Sequence, residues 1–288
     1  MLCCVCIDSN SSSPRVMHVI PGGNGVGGVT SLGDDVFVVR FVNQQKIEVY
    51  DATTCTLQHH ITVPGLCHWC YGLAACPHNK CLYASDSSNV HRVDLSGSNA
   101  ATKWSIAGGP RGLSVNSEHN LIVVNQDERK LQIFTTHGSL VQDIRLQADI
   151  ENPWHAVQLA TTSKFLVSHN GYSDDSLHRV CLVGVNGAVV RSYGGQKGSE
   201  LTRINCPGDL AVDRAGRILV ADSGNNRLLV MDQSLSSAHE MSVSVNGGLD
   251  GPIGLWYDQL RGRLYICELW GKRVIVIDNL KDFTALEV

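Results

Sequence analysis

The chain has 288 residues, of which 43% are hydrophobic and 17% are charged, a composition typical of an ordinary globular protein. Its 23 basic and 27 acidic residues give a net charge of −4, and no Lys/Arg run occurs. Phosphate neutralisation needs clustered Lys and Arg, so the charge pattern does not indicate nucleic-acid binding. No run of eighteen apolar residues occurs, so we expect no membrane span.

The first fifteen residues, MLCCVCIDSNSSSPR, lack the basic segment of a secretory signal and favour an intracellular, cytoplasmic location. The eleven cysteines are an odd number in a long chain, which is unlike the disulfide framework of short secreted domains. We therefore interpret most of them as small buried thiols. Cys3, Cys4 and Cys6 are either acylation sites or the flank of an upstream domain, and the sequence leaves both readings open.

In chain order, the first predicted element is a lone strand, VMHVIPGG at residues 16–23, and six related units follow it. The most regular unit contains ILVADSGNNRLLVMD, two apolar runs joined by Asp, Ser, Gly and Asn, which predicts an antiparallel hairpin. Each unit has three predicted strands, a, b and c. A fourth, d, ends in a recurring tail: HHITVPG, KWSIAGG, VQDIRL, VVRSYGG and SVSVNGG in units one to five. The units begin at Gly27, Tyr71, Arg111, Trp154, Gly208 and Ile253.

The period of these units predicts a propeller. The polar residues that end the b strands are 46, 39, 44, 53 and 46 residues apart. The sixth unit stops after strand c at Asp278, whereas the segment 16–23 has the form of a d strand. Pairing the first strand with the last unit closes the ring and removes exposed edges. We predict an all-β, six-bladed β-propeller of four-stranded blades at residues 15–280, with short tails at 1–14 and 281–288.

The unit PGDLAVDRAGRILVADSGNNRLLVMD resembles an NHL repeat, and the whole chain resembles an NHL-type six-bladed propeller. The resemblance implies a binding platform, as in the NHL propellers of TRIM-type ubiquitin ligases and translational repressors, where one face holds protein or single-stranded RNA. Some six-bladed relatives are enzymes, including the amidating lyase and lactonase-type propellers. The fold alone does not choose among these functions.

In such a ring the b–c and d–a loops share one face, which we call the loop face. Arg, Trp and Tyr dominate binding energy because they combine large area with directed polar groups. The alternative is a purely structural role, in which these side chains only fill gaps between blades. The predicted binding residues are Arg40, Trp69, Tyr71, Arg111, Trp154, His155, His169, Tyr172, Arg227 and Trp270, with Phe41 and Arg129 beside them.

In units two, three, five and six, the residue that ends strand b has an oxygen-bearing side chain. These four side chains are expected to point toward the central channel. Hard cations bind such oxygen sets, and lactonase-type propellers use one here, but Asp in this position is also a routine cap of loop amides. We favour the capping role and expect no cofactor. The set is Asp86, Asn125, Asp222 and Glu268.

Two further motifs are weak evidence for a zinc site and for a dinucleotide site. Cys67 and Cys70 form CHWC, but the spacing to Cys76 and Cys81 is wrong for a zinc ribbon. The G-x-G-x-x-G pattern at residues 23–28 precedes a predicted strand, whereas a dinucleotide site needs a helix there. The amidating lyase would need several histidines that converge on zinc in the channel. The blades that carry His68, His155 and His169 are not evenly opposed around the ring, which argues against lyase chemistry.

The sequence therefore favours a monomeric, non-catalytic propeller that binds a protein partner through its loop face. The alternatives are a single-stranded RNA-binding NHL domain and a metal-dependent hydrolase of the lactonase type. Within the loop face, we expect the partner on blades two and four, where the segments PGLCHWCY and QADIENPWHA both place Trp beside His.

Overall fold

The computed structural model of the chain describes residues 15–42, 44–159, 162–278 and 280. Within these ranges the chain forms six antiparallel sheets of four strands, arranged as the blades of a propeller. The first three blades are β2 to β13: Val26–Leu32, Asp35–Arg40, Lys46–Asp51 and Leu57–Thr62; Gly72–Cys76, Cys81–Ser85, Asn89–Asp94 and Ala101–Ser105; Pro110–Val115, Leu121–Asn125, Lys130–Phe134 and Leu140–Arg145.

The remaining blades contain β14 to β24, together with β1 at the N-terminal end of the described chain. Their strands are Pro153–Gln158, Phe165–His169, Leu177–Val183 and Val189–Gln196; Pro207–Val212, Ile218–Asp222, Arg227–Met231 and Ala238–Met241; Pro252–Asp258, Arg263–Glu268, Val274–Asp278 and Arg15–Ile20. A single 3₁₀ turn, Ser223–Asn225, lies among the described residues. No helix in the described ranges is long and apolar enough to cross a bilayer.

The ring closes in blade 6, as the sequence predicts. Strand β1 pairs antiparallel with β24, from Arg15 opposite Asp278 to Ile20 opposite Val274. The innermost strands of blades 6 and 1 are also joined, because the Trp256 indole donates to Ser31 Oγ at 2.8 Å. The predicted all-β, six-bladed fold with an N-terminal closing strand is therefore confirmed.

The hydrophobic core is divided among the gaps between blades. Six clusters of buried side chains are found in the described chain, one between each pair of neighbouring blades. Apolar residues on both faces of each blade therefore contact a neighbour, which is why the b strands read as continuous runs such as LIVVN. Because every blade depends on two neighbours, the ring is expected to unfold as a unit.

The innermost strands approach each other closely at one recurring site near the loop face. Here most a–b pairs have a β-bulge, and the residue at the bulge faces the next blade. A Cβ on Gly72 would lie 2.7 Å from the Arg111 carbonyl oxygen, and one on Gly112 would lie 2.6 Å from that of Trp154. We define the bulge position as the residue that lies opposite the one just before the polar residue ending strand b, although blade 2 has no bulge there. It is occupied by Gly28, Gly72, Gly112, His155, Asp209 and Gly254 in blades 1 to 6.

The central channel forms a cavity of about 580 Å³ that reaches the a–b face, opposite the loop face. Its walls come mainly from the innermost strands, and turn residues such as Asn116 and Gln259 surround its mouth. Gly72, His155 and Asp209 of the bulge position line its inner end.

One predicted strand differs. In the fifth unit the d strand is Ala238–Met241, and the tail SVSVNGG at 242–248 is a loop. The loop is held by the next blade, because Arg273 donates to the carbonyls of Asn246 and Gly248. The predicted tails at 1–14 and 281–288, including Cys3, Cys4 and Cys6, lie outside the described residues.

Candidate functional site

Four aromatic rings and one guanidinium form a continuous band on the loop face. Phe41 lies 6.0 Å from Trp69 and 5.9 Å from Tyr71, and Tyr71 lies 6.2 Å from Trp154, measured between ring centroids. These are the tilted and edge-to-face geometries that aromatic pairs prefer. We call the band, which consists of Phe41, Trp69, Tyr71, Arg111 and Trp154, the aromatic strip.

The strip is assembled from four blades. Phe41 follows strand b of blade 1, and Trp69 lies in the loop entering blade 2. Tyr71, Arg111 and Trp154 come just before the bulge position in blades 2, 3 and 4. Ring closure therefore brings together residues that are up to 113 positions apart in the sequence.

Trp69 is the most exposed member of the strip. Its side chain is 57% exposed, although its backbone has a φ of 70°, a left-handed conformation that is rare for a bulky residue. The Trp69 amide donates to the Phe41 carbonyl at 2.7 Å, which helps to hold this conformation. A strained backbone that presents an apolar ring to solvent is more often found at a functional site than elsewhere.

Arg111 occupies the middle of the strip. Its guanidinium carbon lies 3.8 Å from the centre of the Tyr71 ring and 5.9 Å from that of Trp154, a cation–π arrangement. Its Nε donates to Gln126 Oε1 at 2.8 Å, which orients the planar group. The rest of the guanidinium stays available for a ligand because Arg111 forms no ion pair with an acid of the described chain.

Two other arginines of the predicted binding face are buried and serve a different purpose. Arg227 pairs with Asp222 at 2.7 Å and donates to the carbonyls of Ser199, Glu200 and Arg203 in the loop that enters its blade. Arg40 pairs with Glu48 and donates to the carbonyls of Pro21 and Asn24. Their guanidinium groups are saturated, so neither is presented to a partner.

This arrangement recurs around the ring. Arg273 pairs with Glu268 and holds the loop before blade 6, while Arg179 binds the carboxylate and carbonyl of Asp149 in the loop before blade 4. We call each such set an arginine clip: a cation on strand b or c that holds the d–a loop of its own blade. The sequence signal was present in blades 5 and 6, where Arg follows the acid by five residues.

The two histidines of the predicted face are also buried. His155 Nδ1 accepts from the Leu210 amide, so Nε2 carries the hydrogen and donates to the Leu113 carbonyl, which links blades 3, 4 and 5. His169 Nε2 accepts from Arg179 Nε at 3.1 Å. Burial and the adjacent Arg179 lower the pKa of His169 to about 3, so it is neutral at physiological pH.

The predicted oxygen set of the channel is engaged in its own blades. The carboxylate of Asp86 accepts from His91 and from the amides of Cys67, Ser88 and Asn89. Burial alone would raise the pKa of Asp86, but these hydrogen bonds hold it well below its usual range. Asp222 and Glu268 belong to arginine clips, and Asn125 bonds the Ala107 carbonyl and Gln132. Within the described ranges no three His, Cys, Asp or Glu side chains form a metal-binding group.

The remaining predicted residues lie outside the strip. Tyr172 and Trp270 are 85% and 66% exposed on the b–c loops of blades 4 and 6. Arg129 donates to the Ala148 carbonyl.

The cysteines of the CHWC segment differ in burial. Cys70 is buried and donates to the Ser85 carbonyl, whereas Cys67 is exposed. Cys76 and Cys81 are opposite each other on β6 and β7, away from the CHWC segment.

Comparison with known proteins supports the repeat and the fold. The NHL repeat family model matches residues 205–231, which contain the bend and the arginine clip of blade 5. The chain is a six-bladed β-propeller in which one segment, residues 205–231, matches the NHL repeat. No curated protein sequence matches it.

Solved structures similar to this propeller belong to proteins of different kinds. Hydrazine synthase of Kuenenia stuttgartiensis aligns over 90% of this chain and 77% of its own, with a TM-score of 0.66 and 14% identity. Virginiamycin B lyase of Staphylococcus aureus aligns over 92% and 99%, with a TM-score of 0.64 and 8% identity. The WD40 propeller domain of Doa1 aligns over 92% and 97%, with a TM-score of 0.64 and 13% identity. At these identities the likeness concerns the fold alone.

Proposed function

We propose that this propeller is a non-catalytic interaction module that binds a protein segment on the aromatic strip. The observation that supports this most is Trp69, an exposed indole held on a left-handed backbone and packed against Phe41. Because the ring is still exposed after folding, its burial by a partner would remove apolar surface from water and contribute favourable free energy to binding. Hot spots of protein interfaces are enriched in the same residue types, Trp, Tyr and Arg.

The chemistry of the strip favours a segment with apolar side chains and at least one acid. The rings of Trp69, Phe41 and Trp154 offer apolar contact, and the guanidinium of Arg111 offers hydrogen bonds to a carboxylate. The strip crosses four blades, a length that suits an extended peptide better than a single side chain.

Single-stranded RNA remains the second candidate because bases also stack on aromatic rings and on Arg. Electrostatics weigh against it. Arg40 and Arg227 are saturated by acids and carbonyls, so of the predicted loop-face arginines Arg111 and Arg129 keep donors free. The net charge of −4 also does not favour a polyanionic ligand.

The test is selection of peptides from a random library on the purified protein, followed by fluorescence anisotropy with the selected peptides. We expect Trp69→Ala and Arg111→Ala to weaken binding strongly, with Leu260→Ala, an exposed apolar residue of the opposite face, as the matched control. Homopolymeric single-stranded RNAs are titrated in parallel at physiological salt.

Three outcomes would contradict the proposal. Peptides that bind the Trp69 and Arg111 variants as tightly as the wild type would move the site elsewhere. Submicromolar RNA binding that depends on the strip would establish the RNA function instead. Failure of selection to yield any peptide that competes at the strip would remove the support for a protein partner.

A further inference from the structure

Asp209 differs from its counterparts in the other blades. It occupies the bulge position of blade 5, where four blades have glycine and blade 4 has His155. One of its carboxylate oxygens accepts from the Leu255 amide at 3.3 Å, and the Trp154 indole lies near enough to the carboxylate to oppose the rise in its pKa that burial causes. Asp209 thus lies beneath the aromatic strip, at the inner end of the channel cavity.

The five acids that are buried in the described chain each have a cationic or imidazole partner, whereas Asp209 is partly exposed to the channel. Asp213 pairs with Arg217, Asp222 with Arg227, Asp258 with Arg261 and Glu268 with Arg273, while Asp86 bonds His91. Asp209 forms no ion pair with the described residues. Both ring nitrogens of its neighbour His155 are hydrogen-bonded to backbone groups, the Leu113 carbonyl and the Leu210 amide.

The space beside this carboxylate has the size and character of a small-molecule site. A cavity of about 580 Å³ lies within the usual range for ligand pockets. Leu73, Leu113, Val157 and Val212 contribute apolar walls, and Asp209 is at the closed end.

The polar groups of the cavity favour a ligand that donates hydrogen bonds. Gln158 also lines it, and its buried Oε1 has no partner in the described part of the chain. Arg214, the only Lys or Arg among the described lining residues, is at the mouth, where it donates to the Leu260 carbonyl. Burial raises the pKa of Asp209, so an adjacent cation would stabilise its ionised form.

We propose that the channel binds a small molecule with a primary ammonium group and an apolar body, with the ammonium against Asp209 and the body between the apolar walls. The ligand enters from the a–b face. It supplies the cation that Asp209 does not obtain from the described residues. This site is separate from the aromatic strip and does not depend on the proposed protein partner.

The test is isothermal titration calorimetry of the whole chain with three probes of equal length: n-hexylammonium, 1-hexanol and hexanoate. We expect hexylammonium to bind most tightly and hexanoate most weakly. Asp209→Asn, which keeps the shape and the acceptor for the Leu255 amide, should lower the affinity for hexylammonium by about tenfold and leave hexanol unchanged. Asp174→Asn, at an exposed acid paired with Lys197, is the matched control.

A second variant tests the cavity itself. Val212→Phe places a bulkier side chain in the channel and should weaken the binding of hexylammonium and of hexanol alike. Trp69→Ala should leave both affinities unchanged. Circular dichroism establishes that each variant folds. If Asp209→Asn does not fold, the order of the three probes on the wild type decides. Equal binding of hexylammonium by wild type and Asp209→Asn, hexanoate binding as tight as that of hexylammonium, or no binding at millimolar concentration would overturn the proposal.

Discussion

Arg111 and Arg227 are both arginines of the loop face, yet the ring uses them in opposite ways. Arg227 is buried in a clip between Asp222 and three loop carbonyls, whereas Arg111 is stacked on Tyr71 and forms no ion pair with a described acid. The first stabilises a loop and the second is available to a partner. The comparison teaches that residue type on a propeller face does not distinguish a binding residue from a supporting one. The contacts that the side chain makes within the protein distinguish them.

The largest effect should follow from removing a clipped loop together with its strand. Deletion of residues 1–24 removes β1 from blade 6 and also the Pro21 and Asn24 carbonyls that Arg40 holds. We expect a loss of about 5 kcal/mol or more, the scale of a whole domain's stability, seen as loss of cooperative melting by calorimetry. A truncated chain that melts cooperatively at the full-length temperature would contradict this closure.

The next effect tests the clip against the strip directly. Arg227→Met leaves the Asp222 carboxylate buried without its cation and should lower the free energy of unfolding by about 3–5 kcal/mol. Arg111→Met, the same change on the same face, should stay within about 1 kcal/mol because no buried charge is orphaned. Urea denaturation measures both. Equal losses in the two variants would show that Arg111 is also a support.

The strip itself should contribute more to binding than to stability. Trp69→Ala should weaken a selected peptide by about 2 kcal/mol, or roughly 30-fold, with little change in melting temperature because the ring is exposed. Trp154 is half-buried, so Trp154→Ala should lower both the affinity for the peptide and the melting temperature.

Trp270→Ala is the control on the same face for these two variants. If Trp69→Ala and Trp154→Ala each cost about 3–5 kcal/mol of stability, the value for a large buried aromatic, the strip only wedges the blades together. Anisotropy and thermal melts on the same preparations separate the two cases.

The smallest effect is a pH dependence confined to one clip. Unfolded histidine titrates near pH 6.5, whereas the pKa of His169 is lowered to about 3, so below pH 6.5 the unfolded state binds a proton that the folded state does not. The stability associated with neutral His169 is therefore full above pH 6.5 and declines as the pH falls toward 3.

The matched variant comes from the chain itself, since blade 3 has Asn125 at the corresponding place. Between pH 7 and pH 5 the wild type should lose roughly 2 kcal/mol more stability than His169→Asn, measured by urea denaturation at each pH. Identical pH profiles would mean that Arg179 does not keep this histidine neutral.

Much of the fold could be predicted from the sequence because its causes are local and repeated. A period near 45 residues, apolar runs separated by turn residues, and a lone d-type strand before the first unit are enough to predict six blades and their closure. The prediction was wrong for SVSVNGG, whose alternating pattern reads as a strand although Arg273 of the next blade holds it as a loop.

The candidate site was predicted only in part. Trp69, Tyr71, Arg111 and Trp154 were identified by residue type, and the structure places them in one strip. Arg40, His155, His169 and Arg227 have the same types but are buried. Asp209 gave no signal at all, because PGDLAV reads as one more first strand and only the ring shows that its carboxylate lines the channel.

The sequence by itself therefore determined the repeat, the number of blades and the strand that closes the ring, since periodicity and turn chemistry act over a few neighbouring residues. The tertiary structure alone decided which loop-face side chains support and which are presented. That decision rests on contacts between blades: Phe41 against Trp69 and Tyr71, and the channel around Asp209. Such contacts join residues tens of positions apart, and they exist only once the ring has closed.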